Sequence, residues 1–141
     1  MRQFETGATR NLEEGKLDFE GFLSPLVLER YAQYMDSHRV QADGKLRDSD
    51  NWQKGMPLNV YMKSGFRHFF TWWKAHRGLP TLEPLEEAIC ALLFNSMGYL
   101  HEYLKKKEKA NGLDELIRWG LCSKNSAEDL RQALNQKEGS V

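Results

Sequence analysis

Hydrophobic positions recur with a helical period through the middle of the chain. Between Leu58 and His76 the large apolar residues fall on one broad face of a helix. They are Leu58, Tyr61, Met62, Phe66, Phe69, Phe70 and Trp73. The spacing predicts a core helix, which Arg77-Gly78 and the following Pro80 should end.

An earlier helix is predicted to begin at Ser24-Pro25, an N-cap followed by proline at the first helical position. Its apolar stripe is Leu28, Tyr31, Ala32 and Met35, at i, i+3, i+4 and i+7. A third helix is predicted from Thr81, as its cap, to about Lys109. Beyond Asn111-Gly112 we expect a short helix from Leu113 to Trp119, and a last one from Ser126 to about Lys137.

Two stretches lack this periodicity. Residues 1–23 read as an arm, and Val40 to Pro57 as a long loop that Trp52 should anchor by docking its ring. The pattern therefore predicts an all-α fold, a compact helical bundle with an irregular arm and a long loop between the first two main helices. One domain is expected, with an arm at 1–23, a helical core at 24–109 and a C-terminal helical extension at 110–141.

Charge and composition exclude several classes of protein. Of the 141 residues, 20 are Lys or Arg and 20 are Asp or Glu, so no overall field attracts nucleic acid. The basic and aromatic segment RHFFTWWK does not change this expectation, because its aromatics are predicted to be buried. The longest apolar run is seven residues, too short to cross a membrane. No membrane association is expected, and the location predicted is the cytoplasm. Cys90, among apolar neighbours, is predicted to be a buried thiol.

The segment TLEPLEEAICALLFN places Glu83, Glu86 and Glu87 at the start of an apolar helix. The helical wheel puts Glu86 inside the apolar arc, with Glu83 and Glu87 at its edge. A carboxylate that faces a core must be paired, protonated or bound to a cation. Two interpretations stay open: a metal cluster completed by Glu29 of the first helix, or pairing with arginine. The candidate arginines are Arg30, Arg39, Arg67 and Arg77.

Several motifs taken together resemble a known family. The order is TGATR, EEGKLDF, LSPLVLERYAQYM, NWQKGMP, RHFFTWW and then an acidic helix. This order resembles the phage-encoded dATP/dGTP diphosphohydrolases, which are related to the MazG-like all-α nucleotide pyrophosphohydrolases. The similarity covers about residues 4 to 104, and NWQKGMP followed by RH is its most specific part.

The resemblance implies a homo-oligomeric enzyme that uses Mg²⁺ or Mn²⁺ to hydrolyse a (deoxy)nucleoside triphosphate, dATP or dGTP, to monophosphate and pyrophosphate. The resemblance implies Glu29 as a metal ligand, and Glu83, Glu86 and Glu87 complete the ligand set predicted from the helical wheel. Glu87, Arg67 and His68 are the expected catalytic residues. Those expected to bind substrate are Asn51, Trp52, Lys54, Arg10 and Lys16. For a phage-encoded protein the cytoplasm is that of the host.

One departure from the MazG-like pattern keeps other functions open. Glu83 and Glu86 read as ExxE, but no ExxD follows, and Asn95 stands after the apolar stretch. The alternative is a phage accessory module that binds nucleotide or protein without catalysis. A dimerisation module without a ligand is the third interpretation.

Overall fold

Five α-helices make up most of the computed structural model, which describes residues 2–10, 15–118 and 123–136. They are α1 (Phe19–Phe22), α2 (Pro25–Ser37), α3 (Leu58–His76), α4 (Leu85–Arg118) and α5 (Lys124–Gln136). A 3₁₀ helix spans Asn51–Lys54. Two short antiparallel strands, β1 (Arg2–Gln3) and β2 (Thr9–Arg10), pair within the arm. The predicted all-α fold is confirmed.

Helices α3 and α4 form the main antiparallel pair, and two glycines set how closely they approach. Tyr61 of α3 lies against Gly98 of α4, and Gly65 of α3 lies against Asn95 of α4. A Cβ built on Gly98 would come within 2.3 Å of Tyr61 Cε1. Tyr61 is 1% exposed, so a small residue opposite it is what allows the ring to be buried between the helices.

Helix α2 packs across the first half of α4 and closes the small core. Ser24 Oγ accepts a hydrogen bond from Val27 N, and Pro25 stands in the first turn, as predicted. Tyr34 packs with Cys90 and Ala91 of α4. Cys90 is buried, which confirms its prediction, and burial raises the pKa of its thiol.

The third predicted helix differs from the observed one at both ends. It begins at Leu85 rather than after Thr81, whose hydroxyl instead donates to Glu83 O. It also runs on to Arg118 without a break at Asn111-Gly112. One glycine in an exposed helix costs only about 1 kcal/mol. Contacts from α5, including an Arg131–Asp114 ion pair, support this end of α4. Trp119 and Lys137, the ends of the two predicted C-terminal helices, lie outside the described residues.

The loop between α2 and α3 is ordered, as its tryptophan predicted. Val40 and Leu46 form an isolated antiparallel bridge, and Arg47 N donates to Arg39 O at 2.9 Å. The 3₁₀ helix then carries Trp52, which is half-buried.

The prediction that α3 is a core helix is wrong for a single copy of the chain. Only Tyr61 and Gly65 of α3 are buried, while Phe66 is 67% and Trp73 50% exposed. The chain has no further layer on this side among its described residues, so the apolar face faces outward. The aromatics of RHFFTWWK are therefore exposed, and the argument from burial against stacking on nucleic acid loses its basis. No helix in the described parts of the chain combines the length and apolarity required to cross a membrane.

Candidate functional site

Arg30 pairs with two of the three carboxylates near the start of α4. Its Nε donates to Glu86 Oε2 at 2.9 Å, and its Nη2 donates to Glu87 Oε1. The hydrogen bonds that the guanidinium donates to Glu86 and, second, to Glu87 raise its pKa. The Glu86 side chain is 76% exposed, so its predicted place inside the apolar arc is wrong. The wheel failed because residues 81–84 are not helical, and the core lies on the side of Ala88 and Ala91.

The third carboxylate has a different partner. His68 Nδ1 lies 3.0 Å from Glu83 Oε2, and both side chains are about three-quarters buried. A carboxylate at Nδ1 holds the proton on that nitrogen and leaves Nε2 free to accept another proton. The pair therefore has the arrangement of a histidine base with its orienting acid.

Tyr34 joins the two groups. It is 9% exposed, and its pKa is raised first by burial and then by the negative charges of Glu83 and Glu87. Tyr34 also stands one turn after Arg30 on α2, and it packs against Cys90 and Ala91, which lie one turn after Glu86 and Glu87 on α4. We refer to Arg30, Tyr34, His68, Glu83 and Glu87 as the polar cluster.

Beyond Tyr34 an open cleft of about 770 Å³ lies between the end of α2, the following loop and Phe94 of α4. This volume is in the range of small-molecule sites. Tyr34 lines the cleft and also belongs to the polar cluster, so the two regions adjoin. The wall of the cleft includes Asn51 and Trp52, both of which are predicted to bind substrate.

The loop that carries these residues is held on one turn of α4. The ring centroids of Trp52 and His101 are 4.9 Å apart in an edge-on contact, and Lys105 Nζ donates to Gln53 O at 3.3 Å. Gly55, at φ 102°, passes the Glu102 carboxylate, from which a Cβ would lie 3.5 Å away. Lys54 Nζ donates to Asn51 Oδ1 at 3.1 Å. Lys54 therefore orients the Asn51 amide.

The remaining predicted site residues lie elsewhere. Arg67 is exposed beside His68, and Glu29 is exposed on α2. Lys16 is exposed in the arm, and Arg10 is in β2 opposite Arg2.

The predicted metal ligands are not assembled around a common point. No three His, Cys, Asp or Glu side chains are grouped to hold an ion within the parts of the chain that the structure describes. Arg30 and His68 instead engage Glu83, Glu86 and Glu87. As arranged, these residues do not fit a divalent cation, and we assign no ligand set.

Two parts of this site were missed from the sequence. The acid that orients His68 is Glu83, fifteen residues further along the chain, and only the tight turn after α3 brings them together. The cleft residues Arg47 and Asp48 carry no motif. The length of the loop was the one sequence feature that pointed to Arg47 and Asp48. It indicated a functional loop but did not identify individual residues.

No family model matches this chain, and the comparisons with curated proteins and with solved structures gave no match.

Proposed function

We propose that this protein hydrolyses a (deoxy)nucleoside triphosphate, dATP or dGTP, to the monophosphate and pyrophosphate. The observation that carries the proposal is the His68–Glu83 pair, at 3.0 Å, in a polar cluster that adjoins a nucleotide-sized cleft. The motifs NWQKGMP and RH, which carry the resemblance, contribute residues to the cleft and the cluster respectively.

The residues suggest how the reaction proceeds. Glu83 holds the Nδ1 proton of His68, so that Nε2 takes a proton from water as the water oxygen attacks the α-phosphorus. The bond from the α-phosphorus to the bridging oxygen breaks, and pyrophosphate leaves with that oxygen. Arg67, exposed on the same turn as His68, neutralises the phosphate charge. Most of the rate gain in phosphoryl transfer comes from positioning and charge.

Activity is expected to require Mg²⁺ or Mn²⁺, as the resemblance implies. Metal dependence must be measured separately from hydrolysis, because Arg30 and His68 contact the carboxylates that would bind the ion. We also propose that the chain forms a homo-oligomer, since α3 presents its aromatic residues to solvent. The cytoplasm, where its substrates are found, is the proposed location.

The test is release of pyrophosphate and monophosphate from each of the four dNTPs, with Mg²⁺, with Mn²⁺ and with EDTA. Metal-dependent release from dATP or dGTP is expected, and its loss in His68→Asn would tie the reaction to the cluster. A folded protein that releases no pyrophosphate under any condition would overturn the proposal.

A second candidate is a module that binds nucleotide without hydrolysing it. The observation that favours it is that Arg30 pairs with both Glu86 and Glu87, which gives these carboxylates a structural role. In that case dATP should raise the melting temperature, and no pyrophosphate should appear.

A further inference from the structure

We propose that Asp48 and Asn51 determine base specificity, by binding the base of a nucleotide whose nucleoside part lies in the cleft. This inference rests on the proposed function, because it takes the ligand of the cleft to be that enzyme's substrate. Neither the motifs nor the resemblance assigns a role to Asp48.

The charges around the cleft favour an uncharged part of the nucleotide over its phosphates. Two acids and two arginines line it, namely Asp36, Asp48, Arg39 and Arg47. Arg39 is already engaged, since its Nη1 donates to Asp36 Oδ1 at 3.0 Å and its Nε to Arg47 O at 2.8 Å. A triphosphate needs an excess of positive charge that this wall does not provide. We therefore place the uncharged nucleoside in the cleft and the phosphates outside it, on the side of His68 and the exposed Arg67.

The apolar part of the wall suits a flat aromatic ring. Met35, Trp52 and Phe94 line it, and the edge-on contact with His101 fixes the Trp52 ring. Stacking of a base on an aromatic side chain accepts any base and so does not distinguish among them. Discrimination must come from polar groups at the edge of the ring.

Asp48 and Asn51 provide one acceptor and one donor. Lys54 donates to the Asn51 oxygen, and the Asn51 Nδ2 amide, which forms no hydrogen bond with another described residue, can donate to a ligand. The Asp48 carboxylate only accepts, and it forms no salt bridge with another described residue. Asn51 N donates to Asp48 O at 3.1 Å, which fixes the two residues relative to each other.

This pair complements a base that carries an amino group. Adenine presents an amino donor beside a ring nitrogen acceptor, which matches Asp48 and Asn51. Guanine presents an amino group and a ring N–H, both of which can donate to the carboxylate. Thymine has no amino group. Its N3–H can donate to Asp48, but the two carbonyl oxygens that flank this N–H then approach the carboxylate and repel it. A site built to hydrogen-bond a group rejects the analogue that lacks it, because its own polar atoms are then left unpaired.

Titration calorimetry with dAMP, dGMP and dTMP tests this inference. EDTA is present, and monophosphates cannot release pyrophosphate, so binding is measured apart from turnover. We expect dAMP and dGMP to bind at least about tenfold more tightly than dTMP. Asp48→Asn should reduce that preference about tenfold with little change for dTMP. Asp43→Asn is the matched control, because Asp43 lies in the same loop, pairs with Lys45 and is not part of the cleft wall.

Asn51→Asp is the second variant, and it replaces the donor by an acceptor. It should weaken dAMP binding, which keeps the inference testable if Asp48→Asn does not fold. Equal binding of dAMP and dTMP, or an unchanged preference in both variants, would overturn the inference. A preference that depends on Asp48 in a protein that releases no pyrophosphate would support it and refute only the hydrolysis.

Discussion

Single residues in the polar cluster have separable roles, because each charged group has a defined partner. Glu83 contacts His68, whereas Glu86 and Glu87 contact Arg30. A substitution at Glu83 therefore tests the proposed chemistry, while the arginine pairs test how α2 is held on α4.

Glu83→Gln should lower kcat at least about a hundredfold and leave the helical content unchanged. The amide keeps the size of the side chain but no longer fixes the protonated nitrogen of His68 as a carboxylate does. Steady-state pyrophosphate release and circular dichroism check this. Glu108→Gln, at an exposed position in the second half of α4, is the control. Equal rates in the two variants would remove Glu83 from the mechanism.

Tyr31 should make the fold sensitive to alkali. Its hydroxyl is buried and has no hydrogen-bond partner among the residues that the structure describes, and burial raises its pKa from 10.0 to about 12. The native state thus favours the neutral phenol. That contribution to the free energy of unfolding is complete below pH 10 and is lost as the pH rises to 12.

Tyr31→Phe should leave stability at neutral pH unchanged or slightly higher, because the hydroxyl that it removes is unpaired. It should lose less stability than the parent between pH 10 and 12. Urea unfolding at several pH values measures both effects. Tyr103→Phe is the matched control, because Tyr103 is exposed. A larger alkaline loss in Tyr31→Phe would contradict the argument.

At the scale of elements, two glycines of α4 differ in how much space surrounds them. Gly98 faces the buried Tyr61, whereas no atom of the described part of the chain lies within 4 Å of a Cβ built on Gly112. The sequence suggested a helix end at the second site and nothing at the first.

Gly98→Ala should lower the free energy of unfolding by about 2 kcal/mol, because the added methyl group overlaps the buried Tyr61 ring. Gly112→Ala should raise it by up to about 1 kcal/mol, since alanine is the better helix former in open space. Urea denaturation of the two variants gives both values. Equal effects would show that α3 and α4 do not approach as described.

The helices themselves were largely predictable. Ser24-Pro25 and Gly78 are local signals that depend on the backbone of a few residues, and both were read correctly. The continuous α4 was not, because contacts with α5 outweigh a local preference for a break. Within the site, nearby motifs such as Asn51-Trp52 were found, but Glu83 with His68 depends on how two helices pack. The sequence offered four arginines as partners for the glutamates, and only packing selects Arg30.

On the scale of the whole molecule, the chain leaves much apolar surface uncovered. Phe66, Phe69, Phe70, Trp72 and Trp73 of α3 are each at least 40% exposed. A helix that is apolar on several sides is normally buried, so a second copy is the covering partner we propose.

Light scattering after size exclusion should therefore give at least twice the sequence mass of 16.4 kDa. Phe70→Glu should shift the mass towards one chain, because a charge in a dry interface is costly. Leu82→Glu is the control, as Leu82 is fully exposed in the turn before α4. A parent protein that elutes as a single chain would refute assembly.

The attachment of the loop to α4 also bears on how such a sequence can diverge. The loop contacts about one turn of α4 through three pairs of residues, namely Trp52 with His101, Gln53 with Lys105 and Gly55 with Glu102. A substitution in the loop or in α4 removes the contact that the residue's partner makes. Substitutions at 52 and 101, or at 55 and 102, should thus be inherited in pairs, so that covariation in an alignment of relatives would mark this junction.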